Sequence, residues 1–317
     1  MLQVLVRHKA IEADGIVSFE LSALDGVLLP AFTAGAHVDV NTPSGITRQY
    51  SLCNPPGERH RYVIGVLKDP LSRGGSQAMH EQVEQGHTLQ ISEPRNLFPL
   101  AVTGKKHLLI AGGIGITPIL AMAHALEQQQ ANFALHYCFR SRARAAFLGQ
   151  LERAPFAKRV TLYDGSREGS AVLDADALLQ NPEHDRHLYV CGPVGFIEHI
   201  LSAAKAAGWP DDHVHREFFA AAPVEHDADQ PFEVELAQSG KIFHIPVDRS
   251  VFEVLDEAGI EVESSCEQGI CGSCITRVLS GTPDHRDQFM TDAEHAANDQ
   301  FTPCCSRSKT SRLVLDL

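Results

Sequence analysis

The sequence predicts an α+β multidomain chain: an antiparallel β-barrel, an α/β domain on a parallel sheet, and a small domain built around cysteines. Three observations carry this. The first hundred residues hold six short β-type runs separated by Gly and Pro, the pattern of a small antiparallel barrel. From about Lys105 strand-like and helix-like runs alternate, which implies a parallel sheet. Near the C-terminus Cys266, Cys271 and Cys274 stand as C-x4-C-x2-C, and Cys304 follows after 29 intervening residues.

The barrel is expected over 1–103. Its strands are read at Leu2–Val6, Ile16–Leu21, His37–Asn41, Gln49–Leu52, Tyr62–Leu67 and Thr88–Ile91, with one helix at Gln77–Glu84. The α/β domain is expected over 104–221. Strands at His107–Ala111, Phe133–Phe139, Val160–Tyr163, Leu188–Cys191 and Val214–Phe218 alternate with helices at Thr117–Gln128, Arg144–Arg153, Ala175–Leu179 and Val194–Ala207. Ala220 to Pro231 is small, acidic and bounded by proline, so 222–231 is read as a linker. In the last domain, 232–317, Phe232–Leu236 and Lys241–Val247 form a hairpin around Ser239-Gly240. A helix at Val251–Ala258 precedes the cysteine loop, and the chain ends in the strand-like Leu313–Leu317.

Composition narrows the function classes. The 317 residues suit two or three domains, and 44% hydrophobic with 21% charged residues is ordinary for a soluble globular protein. A net charge of −13 argues against nucleic acid and an anionic membrane surface as partners and leaves room for a basic protein. Arg7, Lys9, Glu12 and Asp14 interrupt the N-terminus, so no secretory signal is read there, and a cytoplasmic location is expected. Leu108–Leu126 is almost free of charge, but its glycines and Pro118 mark a strand, a turn and a buried helix rather than a membrane span.

The cysteine spacing is that of a plant-type [2Fe–2S] cluster, with Cys266, Cys271, Cys274 and Cys304 as thiolate ligands. Gly269 and Gly272 let the loop turn tightly around it. A zinc site usually shows paired C-x2-C units, and only one such pair is present. Cys305 falls one residue too late for the ligand spacing.

Two further groups of residues read as nucleotide sites. Arg48-Gln49-Tyr50-Ser51 lies on the fourth strand: the Arg48 fork can balance a phosphate, Tyr50 can lie against an isoalloxazine ring, and Ser51 can bond the flavin N5 region. Gly74-Gly75-Ser76 opens the barrel's helix and offers free N–H groups to an anion. Gly112-Gly113-Ile114-Gly115-Ile116-Thr117-Pro118 joins a strand to a helix, where glycines bring the backbone close to a pyrophosphate. It departs from G-x-G-x-x-G by placing Pro118 at the third position, and proline suits a first helical turn. Cys191-Gly192-Pro193 stands at a second strand-to-helix junction, where the cysteine alone could equally be a small buried residue.

Together, and over the full length of the chain, these motifs resemble the ferredoxin–NADP reductase superfamily. The order of flavin barrel, pyridine-nucleotide domain and C-terminal ferredoxin resembles the phthalate dioxygenase reductase family within it. Asp284-His285-Arg286-Asp287 and Cys304-Cys305-Ser306-Arg307 strengthen the likeness. The resemblance implies a β-grasp plant-type ferredoxin domain, FMN as the flavin and NADH as the donor. It places Cys191 beside the nicotinamide C4, with Ser51, Thr117 and Phe218 positioning the two rings. Arg140-Ser141-Arg142, ending the second parallel strand, could instead accept the 2′-phosphate of NADPH.

The flavin would accept an electron pair from NADH and pass electrons singly to the cluster. The implied partner is a separate Rieske non-haem iron oxygenase, in an aromatic oxygenase or O-demethylase system. The chain is not itself that oxygenase, because no cysteine has a histidine two residues on, as a Rieske centre's ligand pairs do. Two rival readings are a reductase for another acceptor, such as a cytochrome P450 or a soluble ferredoxin, and an iron–sulfur redox sensor. Between Pro231 and Leu317 acidic residues outnumber basic ones by 15 to 7, which suits steering of a basic partner as well as solubility.

Overall fold

Val4 and Val6, Phe19 and Leu21, Val38 and Val40, and Tyr62, Ile64 and Val66 each recur at every second residue, and all are buried. This period turns one face of each strand inward. In the computed structural model, which describes every residue except 71–73, 168, 170, 181 and 221–228, they line one core. Ser72 and Arg73, and most of the expected linker, lie outside the described residues.

The strands β1 (Leu2–Ala13), β2 (Ile16–Ala23), β3 (His37–Asn41), β4 (Thr47–Ser51), β5 (Tyr62–Leu67) and β6 (Thr88–Ile91) form one antiparallel sheet in the order β4-β3-β6-β1-β2-β5. A bridge between Leu52 and Ile64 brings the chain after β4 against β5. The helix α1 (Gly75–Gln82) lies between β5 and β6 in sequence, two residues earlier than Gln77–Glu84.

The second layer holds five parallel strands: β7 (Lys106–Gly112), β8 (Asn132–Phe139), β9 (Val160–Asp164), β10 (Arg186–Gly192) and β11 (Val214–Phe218). Their order is β11-β10-β7-β8-β9. The chain starts in the middle, runs outward through β8 and β9, then returns to the other side through β10 and β11. The switch point is therefore the crevice beyond the carboxyl ends of β7 and β10, where open parallel sheets bind ligands. The helices α2 (Ile116–Gln128), α3 (Leu148–Arg153), α4 (Ala175–Leu179) and α5 (Val194–Ala206) connect the strands.

The expected helix Arg144–Arg153 is shortened to α3. Phe147 takes a left-handed backbone (φ 57°) and buries its ring, which interrupts any helix running through it. Ile16, Ala34, Cys53 and Phe98 of the first layer share a core with Leu109, Ile116, Ile119, Leu120 and Tyr137 of the second. Burial across that seam makes Met1–Phe219 one compact unit.

Ala220–Leu317 is the other unit. Its strands β12 (Phe232–Leu236), β13 (Ile242–Ile245), β14 (Thr276–Ser280), β15 (Pro283–Asp284), β16 (Gln300–Phe301), β17 (Arg307–Ser308) and β18 (Arg312–Leu315) include a five-stranded sheet in the order β13-β12-β18-β14-β16. β12 and β18 run parallel, while β13 and β14 run antiparallel to their neighbours. The helix α6 (Val251–Glu257) packs Val251 and Leu255 onto this sheet. β14 and the helix α7 (Asp292–Ala297) were not among the expected elements. α7 carries a capping box between Thr291 and Glu294, a pattern readable as T-x-x-E.

Candidate functional site

Arg48 and Tyr50 share one face of β4, and Gln49 and Ser51 the other. Arg48 lies against the start of α1: a Cβ on Gly75 would come within 2.9 Å of Arg48 Cγ. Gly74 takes φ 104° at the N-cap of that helix, a conformation that favours glycine. Ser76 accepts a hydrogen bond from the Asp69 N–H at 3.2 Å, so its hydroxyl oxygen is engaged with the backbone. The Gln49 amide donates to Asp39 at 3.1 Å. The Tyr50 hydroxyl is buried and has no hydrogen-bond partner among the described residues. Burial without a compensating bond is costly, so this oxygen is poised for a polar group brought by a ligand.

Ser51 reaches across to the parallel sheet, where its hydroxyl donates to Glu217 Oε2 at 3.3 Å. Glu217 sits on β11 directly beside Cys191 of β10, and Gly192 pairs with Phe218 one step on. Burial raises the Glu217 carboxyl from about 4.5 to about 8, and the Ser51 bond only partly offsets this. The carboxyl therefore holds its proton at neutral pH. Cys191 is fully buried, and burial first, then Glu217, drives its thiol well above the usual range. It is a neutral soft surface, not a thiolate nucleophile.

Close approach explains the glycines. A Cβ on Gly115 would lie 2.3 Å from the Cys191 carbonyl oxygen and 2.6 Å from Gly192 N, so only glycine lets the start of α2 sit against the end of β10. A Cβ on Gly112 would strike the Phe196 ring at 2.8 Å and Pro193 Cδ at 3.1 Å. Gly113 has φ 54° and open space around it. Pro193 caps α5, and Pro118 is buried in the first turn of α2. Thr117 donates its hydroxyl to the Ile114 carbonyl at 3.0 Å and turns its methyl toward Gly65 of β5, joining the two layers.

The structure thus brings Ser51, Cys191, Gly192, Pro193, Gly112, Gly115 and Phe218 to the switch point. Arg48, Gly74 and Gly75 meet at α1. Glu217 escaped the sequence reading, because only the β10–β11 register puts it next to Cys191. At the end of β8, Arg142 is paired with Glu152 at 2.5 Å.

In the other unit Cys266, Cys271, Cys274 and Cys304 are all buried. Their sulfurs meet in pairs. Cys274 and Cys304 lie 3.3 Å apart, and Cys266 and Cys271, both free, are joined by a hydrogen bond. The Gln268 N–H points at Cys266 Sγ (3.3 Å) and the Ser273 N–H at Cys271 Sγ (3.5 Å). Those donors favour thiolate over thiol. Gly269 and Gly272 both have φ 71°, and a Cβ on either would strike Cys305 Sγ or the Phe289 ring. Two pairs of buried sulfurs, one of them met by N–H donors, fit two irons with two thiolates each. Cys305 lies beside Thr302 (3.3 Å) and Ser306 (3.9 Å).

Comparison with known proteins agrees. A family described as 2Fe-2S iron-sulfur cluster binding domain matches residues 234–309, and one described as Dimethylamine monooxygenase subunit DmmA-like, N-terminal domain, matches 94–214. A vanillate O-demethylase oxidoreductase of Pseudomonas putida is 57% identical over 318 residues, covering 100% of both chains. The solved phthalate dioxygenase reductase is 39% identical with a TM-score of 0.78, covering 100% of this chain and 98% of that one. An intact type IV self-sufficient cytochrome P450 monooxygenase matches with a TM-score of 0.86 at 38% identity, over 100% of this chain and 41% of that one. No helix among the described residues is long and apolar enough to cross a membrane. With a [2Fe–2S]-binding domain behind a barrel and a parallel sheet, and full-length relatives at this identity, the chain is an oxidoreductase that belongs to the phthalate dioxygenase reductase family.

Proposed function

We propose that this chain is the reductase component of a Rieske-type aromatic oxygenase or O-demethylase system, carrying electrons from NADH through FMN and a [2Fe–2S] cluster to a separate oxygenase. The observation that carries this reading is the meeting of Ser51, Glu217 and Cys191 at the switch point, in a chain that also holds four paired, buried cysteines. When bound, NADH supplies a hydride, FMN converts an electron pair into single electrons, and the cluster takes one electron at a time.

The protein's part is placement. Arg48 and the N–H groups at Gly74 and Gly75 suit the flavin phosphate, and the orphaned Tyr50 hydroxyl suits a polar atom of the same group. The glycines at 112, 113 and 115, with the start of α2, suit the pyrophosphate of the dinucleotide. Cys191 and Phe218 bound the space for the rings with neutral, polarisable surface. Ser51 and Glu217 hold a proton at the seam between barrel and parallel sheet. The pairing of Arg142 with Glu152 already compensates a charge that a 2′-phosphate would need, which favours NADH over NADPH. In functional terms the chain divides into 1–103, 104–221 and 232–317.

The test has three parts. Denaturation should release one FMN per chain, and finding FAD would overturn that assignment. NADH should reduce ferricyanide quickly, which a bare redox sensor would not do. Turnover of an aromatic acid panel coupled to a purified Rieske oxygenase should then need this chain. Coupling only to a cytochrome P450 would replace the oxygenase reading, and the match to the self-sufficient P450 makes that the rival to exclude.

A further inference from the structure

The run Asp284-His285-Arg286-Asp287 contributes no cluster ligand, yet it lies beside the cluster loop: the Gln288 N–H donates to the Gly269 carbonyl at 2.9 Å. Arg286 uses its fork on Asp229, with Nη1 at 3.0 Å from Oδ2 and Nη2 at 2.5 Å from Oδ1. Its Nε also bonds Asp284 at 2.9 Å. Arg307 adds a second cation 3.6 Å from the same Asp229 carboxylate. Only 2% of the Asp229 side chain is exposed, 13% of Arg286 and 7% of Arg307. A carboxylate so enclosed is stable only while both cations stay in place.

These residues join three stretches of chain. Asp229 is the first described residue after 221–228. Arg307 lies three residues beyond Cys304, and it also donates to the carbonyls of Arg249, Gln230 and Pro246 while covering the Phe232 ring. The backbone N–H of Arg286 donates to Ser306 Oγ, which in turn contacts Thr302 Oγ1 at 2.8 Å. Thr302 and Ser306 flank Cys304 at two residues on either side. The stretch Asp229–Phe232 is thus clamped to the segment that carries Cys304.

We propose that Asp229 is a positioning residue for electron delivery: through Arg286 and Arg307 it fixes the first described stretch of this unit, Asp229–Phe232, onto the Cys304 segment. The inference rests on the reading of the chain as a carrier from NADH to the cluster. Asp229→Asn keeps the shape but removes the charge that holds both guanidinium groups. In the full-length holoenzyme this variant should keep native iron content, cluster spectrum, NADH-driven flavin bleaching and ferricyanide reduction.

Stopped-flow transfer from reduced flavin to cluster should slow about tenfold, since small displacements of reacting partners cost large rate factors. Asp229→Glu should recover part of that loss. Amide exchange in the oxidised protein should rise at Gln230 and at Ser306–Arg307. Asp284→Asn, which removes a more exposed partner of Arg286 and leaves the Asp229 pairs intact, should transfer at the native rate. Native transfer in Asp229→Asn would overturn the proposal. So would loss of iron from that variant, which would make Asp229 a cluster-retention residue. Failure of NADH to reduce the cluster in the unaltered protein would instead overturn the functional reading beneath it.

Discussion

The cluster loop and the switch-point crevice are assembled in opposite ways. Three of the four loop cysteines lie within nine residues, and left-handed glycines fold the loop around them. The crevice draws Ser51 from the barrel, Gly115 from the turn after β7, Cys191 from β10 and Glu217 from β11. A loop set by spacing depends on each ligand. A crevice set by register depends on backbones that approach closely enough. The same difference explains their electrostatics. N–H donors point at the Cys266 and Cys271 sulfurs and favour charge there, whereas burial in the crevice favours the neutral forms of Glu217 and Cys191.

The largest effect should come from breaking the loop. Cys304→Ser removes the partner that lies 3.3 Å from Cys274, and it should abolish the visible cluster spectrum and most bound iron. Cys305→Ser should retain both. The reverse result would mean that Cys305, not Cys304, is the fourth ligand. Ferricyanide reduction by NADH should survive in Cys304→Ser, because that acceptor can take electrons before the cluster.

Gly115→Ala should break the crevice and leave the loop intact. Its Cβ would meet the Cys191 carbonyl at 2.3 Å, and neither backbone can yield without moving the α2 start or the end of β10. NADH-driven flavin bleaching should fall about 100-fold, as misplacement of this kind can cost, while iron content stays native. A native bleaching rate would remove Gly115 from the nucleotide site.

Glu217→Gln probes the neutrality of the crevice. A carboxyl whose folded value is raised to about 8 stabilises the fold most while it is protonated in both states. Its contribution is lost as pH rises from the unfolded value of about 4.5 through about 8. The melting temperature of the native protein should therefore fall over this window relative to that of Glu217→Gln. The difference between the two isolates Glu217 from the buried histidines. Flavin bleaching should lose an inflection near pH 8 in the variant. Identical pH profiles would mean that the carboxyl is already ionised.

The smallest effect should come from the surface. If Glu263 and Glu267 steer a basic oxygenase, coupled turnover should fall severalfold as salt shortens their reach to about 8 Å near physiological strength. Ferricyanide reduction would not report on this, since that acceptor is itself charged. A neutral quinone acceptor should be insensitive to salt. Glu263→Gln with Glu267→Gln should mimic high salt in a protein of confirmed iron content. Salt-independent coupling would leave docking to apolar contacts.

Much of this protein is legible along the chain. Tyr62–Leu67, His37–Asn41, Val214–Phe218 and Phe232–Leu236 fall where alternation and β-branched runs place them. Errors cluster where tertiary packing overrode local pattern. Phe147 turned left-handed to bury its ring and cut a helix short. β14 went unread although it is flanked by β18 and β16 in its sheet, because Thr-Arg-Val-Leu-Ser is short and half exposed on its own.

The sequence alone determined the C-x4-C-x2-C spacing, the order of the folding patterns and the glycine turns, because these depend on local sequence. Only the tertiary structure decided that Ser51 meets Glu217, that Glu217 lies beside Cys191, and that Asp229 is enclosed by Arg286 and Arg307. Those pairs are separated by 166, 26, 57 and 78 positions. Over such distances strand register and helix packing choose the neighbours, and the charge states follow from how completely water is excluded.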